Sequence, residues 1–265
     1  EAFRTDMVHF LMNRCRELPD NEEIREMAAR YQEMIVQRGR RIPLQQILGT
    51  QDFMGMTFFV NRHVLIPRQD TETLVELVLK EHPGAGERVL DLCTGSGCIA
   101  VSLAAMGGYG PVTAVDLSHP ALLVAKKNRD RLLGQPEDTG RQEVCRVTFR
   151  EGDLFSALEP EDGPFDLLVS NPPYIPTQVI EGLEPEVRDF EPRMALDGSE
   201  DGLEFYRRIA AESGSWLKEG ASIYLEIGYD QGEAVKALLE DAGFREVRIV
   251  KDAPGKDRVA AARWR

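Results

Sequence analysis

The sequence predicts an α/β protein in which a mostly parallel sheet of seven strands, the last antiparallel, carries helices on both faces and follows a small helical unit. Three observations point there. From residue 88 onward, short apolar runs alternate with helical segments, which is the pattern of βαβ units. The final two runs are joined by Asp252-Ala253-Pro254-Gly255-Lys256-Asp257, which is turn chemistry and too short for the crossover a parallel pair needs. Before about residue 50, apolar residues recur at helical spacing.

Taken in order, residues 3–16 form a short helical stretch, and residues 20–37 a longer one. The longer stretch has an apolar face of Ile24, Met27, Ala28, Tyr31, Met34 and Ile35, with Asp20 and Glu23 spaced as a capping box. Residues 43–48 add a turn or two. Aromatic and β-branched runs at 52–60 and 63–66 flank Asn61-Arg62 and predict a hairpin. Strands are expected at 88–92, 112–115, 144–149, 165–169, 222–227, 246–250 and 258–262. Helices are expected at 99–106, 120–132, 203–217 and 232–242. This divides the chain into a helical partner-recognition unit (1–50), a linking hairpin (51–69) and a domain that carries the chemistry (70–265).

Composition removes several function classes. The 265 residues carry a formal net charge of −13, the wrong sign for a protein held on nucleic acid through phosphates. The nearest approach to a basic stripe is Arg38, Arg40 and Arg41. No run approaches the roughly 18 apolar residues of a membrane span. The four cysteines lack paired spacing, so neither a disulfide framework nor a metal site is expected, and a reducing cytoplasm is the expected compartment. Glu1-Ala2-Phe3-Arg4 has neither an initiator Met nor a secretory layout, which suggests that the natural start has been removed. A monomer is expected.

Val89-Leu90-Asp91-Leu92-Cys93-Thr94-Gly95-Ser96-Gly97-Cys98 is a buried strand running through a glycine turn into a helix start, where backbone amides can face a ligand. Alone this is weak, because Ala100 breaks the fuller dinucleotide-binding spacing. Asp116 closes the next strand, where a carboxylate accepts from ribose hydroxyls; the alternative is that it only caps the following helix. Asp153, in Glu151-Gly152-Asp153-Leu154-Phe155, reaches the same crevice, able to accept from an adenine amino group while Leu154 or Phe155 covers the ring. Together these features indicate an adenosine-type ligand.

The strand at 165–169 runs straight into Asn171-Pro172-Pro173-Tyr174. Two prolines remove two donors and stiffen the turn, so the Asn171 side-chain oxygen and the Pro172 carbonyl become acceptors for the two N–H groups of a planar amine or amide. Tyr174 is expected to stack on that acceptor. A rigid turn that merely ends a strand is the plainer alternative.

With these residues in hand, the chain resembles the release-factor glutamine methyltransferases, along nearly its whole length. The resemblance rests on His63-Val64-Leu65-Ile66-Pro67-Arg68 through Thr71-Glu72, the glycine loop, Asn171 to Tyr174, Glu191-Pro192-Arg193, Ala195-Leu196-Asp197-Gly198 and Asp201-Gly202-Leu203. It implies the Rossmann-like class I methyltransferase fold, S-adenosyl-L-methionine as cofactor with S-adenosyl-L-homocysteine as product, and methylation of the N5 nitrogen of the Gly-Gly-Gln glutamine in class I peptide chain release factors. It assigns Cys93, Thr94, Gly95, Ser96, Gly97, Asp116 and Leu154 to the cofactor and Asn171, Pro172, Pro173 and Tyr174 to the substrate glutamine. It also gives the N-terminal unit the task of engaging the release factor. Two positions depart from the family: Cys93 stands where glycine is frequent and Gln69 where proline is usual. Rival readings are a ribosomal-protein glutamine methyltransferase, a DNA adenine N6-methyltransferase, which the net charge disfavours, and a non-catalytic adenosine-binding module.

Overall fold

The computed structural model describes residue 12 and residues 21–84, 86–134 and 147–265. The expected helix at 3–16 therefore lies outside the described residues, Met12 excepted, as does the start of the strand expected at 144–149. Helix α1 spans Glu22–Gly39, one residue inside the expected cap: Asn21, not Asp20, accepts from the Ile24 amide at 2.9 Å. It buries no side chain fully, and Tyr31, Ile35 and Val36 stay half exposed. A short helix α2, Leu44–Leu48, follows and ends on a left-handed Gly49.

The hairpin is present, but its turn is displaced from the expected Asn61-Arg62. Strands β1 (Thr50–Phe53) and β2 (Met56–Phe59) pair antiparallel around Met54 and Gly55, both at positive φ as a two-residue turn of matching twist demands. Residues 63–66 form no strand. Asn61 instead accepts from the His63 amide through its side chain, a local turn that sends the chain onward. Helix α3, Gln69–Glu81, was not expected; it buries Thr71, Leu74, Val75 and Val78.

The seven-stranded sheet comprises β3 (Val89–Leu92), β4 (Val112–Asp116), β5 (Val147–Glu151), β6 (Phe165–Ser170), β7 (Leu217–Glu226), β8 (Arg245–Lys251) and β9 (Asp257–Arg263), in the order β5-β4-β3-β6-β7-β9-β8. The first five run parallel, and β9 is antiparallel to both β7 and β8. Helices α4 (Cys98–Met106), α5 (His119–Leu133), α6 (Glu204–Ser213) and α7 (Gly232–Asp241) complete the layers. The expected helix at 203–217 stops at Ser213, and Leu217 opens β7.

Alternation along the strands explains the two cores. Leu90, Leu92, Leu168, Ile223, Leu225, Ala260 and Ala262 pack against Tyr206 and Ile209 of α6 and Val235 and Leu239 of α7. Their neighbours Val89, Leu167, Val169, Tyr224, Val259 and Ala261 face Leu74, Val75 and Val78 of α3 and Ile99 and Val101 of α4. The chain begins the sheet at β3, moves outward to β5 and returns beside β3 with β6, so the strand order reverses between β3 and β6. At such a reversal the loops beyond the carboxyl ends diverge and leave a crevice. No helix among the described residues is long and apolar enough to cross a membrane.

Candidate active site

The loops after β3, β4, β5 and β6 open onto one cavity of about 450 Å³, within the range of small-molecule sites. Its wall includes Cys93, Thr94, Gly95, Ser96, Asp116, Asp153, Leu154, Asn171 and Pro173. Gly97, Pro172 and Tyr174 do not line it.

The turn after β3 is built by backbone conformation. Cys93, Gly95 and Gly97 have φ of 61°, 55° and 78°. At position 93 this conformation favours glycine, since a left-handed non-glycine residue costs roughly 1–2 kcal/mol. A Cβ on Gly95 would meet nothing within 4 Å, so the wall is open there, whereas one on Gly97 would come within 3.1 Å of the Ala125 side chain. Gly97 therefore serves the packing of α4 on α5. Asp91, beneath the turn, accepts from the Thr94 hydroxyl at 2.6 Å, and burial pushes its carboxyl up to about 7. Asn128 of α5 donates to the carbonyls of Ser96 and Phe59, pinning the turn to the hairpin.

Asp116 closes β4 and accepts from the Gly95 amide and the Ser118 amide, both at 2.8 Å. The cap of α5 is Ser118, whose hydroxyl accepts from the Ala121 amide, so Asp116 holds the cap residue in place while it braces the glycine turn. Burial raises its pKa, and the two backbone amides oppose the rise. Asp153 lies across the cavity, paired with Arg208 of α6 at 2.9 Å. Leu154 adopts φ 49° and is buried between cavity and core.

On the other side, Ser170 donates to the Leu92 carbonyl at 2.6 Å and locks the end of β6 to β3. The next residue, Asn171, donates through Nδ2 to Thr71 Oγ1 at 3.3 Å. With the nitrogen end so occupied, the oxygen end of the amide is the one free to accept. Pro172 and Pro173 are buried. Tyr174 is turned into the core, its carbonyl accepting from Gln231 at 3.0 Å, so the expected stacking on the acceptor is not what this geometry provides. The reason is packing: Gly198 and Gly202 press on the Tyr174 backbone so closely that a Cβ on either would overlap it.

Residues 184–199 complete the wall with Pro192, Met194, Ala195 and Asp197. This strap is tied to the N-terminal elements. Arg38 and Arg41 pair with Glu186, Arg41 also with Glu184, Gln46 donates to the Phe190 carbonyl, and Arg68 binds both oxygens of Glu191 at 2.8 Å. The Glu191 side chain is 1 % exposed; burial pushes its acid up to about 7 against the pull of Arg68.

Two wall residues, Thr71 and Arg208, carry no local sequence signal. Thr71 sits in the unexpected helix.

The cradle suits an adenosine carrying a cationic tail: backbone amides and Asp116 lie at one end, Asp153 at the flank, and open space stands over Gly95. The model of the methyltransferase small domain matches residues 68–182. A methyltransferase from Pyrococcus furiosus has the same fold, with a TM-score of 0.56 at 18 % identity, covering 88 % of this chain and 96 % of that one. The release factor glutamine methyltransferase of Geobacter sulfurreducens is 44 % identical over 87 % of this chain and 76 % of its own length. That of Clostridium acetobutylicum is 39 % identical over 98 % and 87 % respectively. Identity at this level along most of both chains, on a fold and cavity that accommodate S-adenosylmethionine, places this chain in the release factor glutamine methyltransferase family.

Proposed function

We propose that the chain transfers a methyl group from S-adenosylmethionine to the side-chain amide N5 of the Gly-Gly-Gln glutamine of class I peptide chain release factors. The observation that carries this is the orientation of Asn171: its nitrogen is committed to Thr71, which leaves an acceptor oxygen at the cavity.

When bound, S-adenosylmethionine supplies a methyl group activated by a positive sulfur. The chain's residues do the rest by holding and aiming. Asp116, Cys93 to Ser96, Asp153 and Leu154 hold the cofactor. An amide nitrogen is a poor nucleophile, because its lone pair is delocalised into the carbonyl. The Asn171 oxygen, at the cavity, takes one N–H, and the carbonyl of the buried Pro172, next in the chain, is the acceptor assigned to the other; together they aim the nitrogen and stabilise the positive charge that grows on it. Pro173 lines the cavity next to this motif. No strong base is needed before transfer, since the proton becomes acidic only as the new bond forms.

Recognition of the whole release factor falls to the N-terminal unit, residues 1–50. The exposed apolar positions of α1 and the absence, among the described residues, of any cavity residue before His63 support that division. Arg38 and Arg41, paired within the chain, are not the free cations that docking requires. Action on release factors implies the cytoplasm as the site of work.

The test is labelled methyl transfer to purified release factor, ribosomal large-subunit protein and DNA in parallel. Label in the Gly-Gly-Gln glutamine alone is the expected result. Label in ribosomal protein or DNA and none in release factor would replace the reading.

A further inference from the structure

The ion pair on the flank of the cavity has no part in holding the ribose or the acceptor amide. Asp153 Oδ2 meets Arg208 Nη2 at 2.9 Å, and both side chains line the cavity and stay partly exposed there. Neither makes another ion pair among the described residues. We infer that Arg208 is a specificity-determining residue for the nucleobase of the cofactor: paired with Asp153, it sets a donor beside an acceptor, the pattern that fits the 6-amino edge of adenine and rejects a 6-oxo purine.

The fold fixes both members of the pair. Helix α6 buries Tyr206, Ile209 and Ala210 in the core, so Glu204, Phe205 and Arg208, three and four residues apart, come to the cavity wall together. Arg207, one residue earlier, is turned instead to Asp201. Phe205 flanks the guanidinium, its ring centroid 6.0 Å from Arg208 Cζ. On the other side, the Gly152 amide donates to the Asp116 carbonyl at 3.0 Å, and Leu154 is buried. The loop carrying Asp153 is therefore held at both neighbours, beside the carboxylate assigned to the ribose.

Donor and acceptor inventory carries the argument. An ionised carboxylate only accepts, and a guanidinium only donates. With Oδ2 engaged by Arg208, Oδ1 is the oxygen left for the base, while the guanidinium keeps further N–H groups for a second acceptor. Adenine carries an N6–H donor flanked on either side by a ring acceptor, N1 or N7. Whichever edge it presents, its amino group suits Asp153 and the neighbouring ring nitrogen suits Arg208. Hypoxanthine has an oxygen at C6, whose lone pairs would face the carboxylate, and its N1 bears a proton. Arg208 acts twice in this scheme: it donates to the ring nitrogen, and by tying Oδ2 it fixes the direction in which Oδ1 accepts.

This inference rests on the proposed placement of Asp153 at the adenine, and the experiment separates the two. Titration calorimetry on the full chain gives the Kd of S-adenosylhomocysteine and of S-inosylhomocysteine, which differ only at the base, for wild type, Arg208→Met, Arg208→Lys and Asp153→Asn. Wild type should prefer the adenine compound by roughly 10- to 100-fold. Arg208→Met should weaken the adenine compound about tenfold and the inosine compound far less, and Arg208→Lys, which keeps a donor, should restore part of the preference. Asp153→Asn, whose amide can also donate to a C6 oxygen, should abolish it. An unchanged preference in Arg208→Met, or equal weakening of both compounds, overturns the inference. A preference that survives in Asp153→Asn removes Asp153 from the adenine and overturns it as well. If the four Kd ratios behave as expected while no release factor is methylated, the base-reading pair stands and the substrate assignment falls.

Discussion

The two halves of the cavity are built on different plans. The cofactor half is local: Asp116 reaches back to the Gly95 amide, and the residues that shape the half follow directly on β3, β4 and β5. Its key elements are backbone conformation and one carboxylate. The acceptor half is assembled from far apart in the chain: Asn171 leans on Thr71, Tyr174 on Gln231, and the strap on Arg38, Arg41, Gln46 and Arg68. Binding a cofactor needs a cradle that any strand-turn-helix can offer. Aiming one nitrogen needs side chains whose rotamers are fixed by several elements at once. Substitutions should accordingly separate binding from turnover.

The largest effect should come from the acceptor half. Asn171→Ala removes an oriented acceptor used in transfer, so kcat should fall by on the order of 10² to 10³. Calorimetric affinity for S-adenosylmethionine should hold, and near-normal kcat would show the motif to be only a rigid turn.

Next comes the strap. Arg68→Met leaves Glu191 buried without its cation, so unfolding free energy should drop by roughly 3 kcal/mol at high pH. The sign with pH follows from Glu191, whose folded pKa of about 7 lies above its usual value of 4.5. The native state then binds the proton more tightly than the unfolded state, and without Arg68 tighter still. The deficit of the variant should therefore shrink as pH falls below 7 and grow above it. A deficit that widens on acidification would contradict the assigned ion pair.

In the cofactor half, Asp116→Ala should weaken S-adenosylmethionine binding by about 1.5–3 kcal/mol, through lost ribose acceptance and loss of the brace on the Gly95 turn. Titration calorimetry on the folded variant checks this; an unchanged Kd would remove Asp116 from the site.

The smallest effect is expected from Arg38→Glu and Arg41→Glu. Both arginines are about half exposed and Glu184 more so, while Glu186 is mostly covered, so loss of these pairs should cost little stability. Because these pairs hold the strap, a short glutamine peptide and an intact release factor should be affected alike. A rise in KM for the intact protein alone would return the arginines to a docking role.

The same contrast explains what was legible in the sequence. Strand and helix alternation, the antiparallel last strand, the glycine turn and Asp116 all follow from spacings within one βα unit. The hairpin turn was misplaced because Asn61-Arg62 carries turn chemistry, while the actual turn places Met54 at positive φ, which residue type alone does not announce. Helix α3 was missed although Thr71, Leu74, Val75 and Val78 fall on one face. Stacking by Tyr174 was inferred from its ring. What decides its direction is contact with Gly198 and Gly202, about 25 residues away and invisible to local pattern.

The most direct test of the account is the crossed pair of measurements on Asn171→Ala and Asp116→Ala: cofactor Kd by calorimetry and single-turnover methyl transfer to release factor at saturating S-adenosylmethionine. The account predicts that Asn171→Ala loses transfer and keeps Kd, while Asp116→Ala loses Kd and recovers most transfer once saturated. Parallel loss of both quantities in both variants would contradict a cavity made of separable binding and aiming halves.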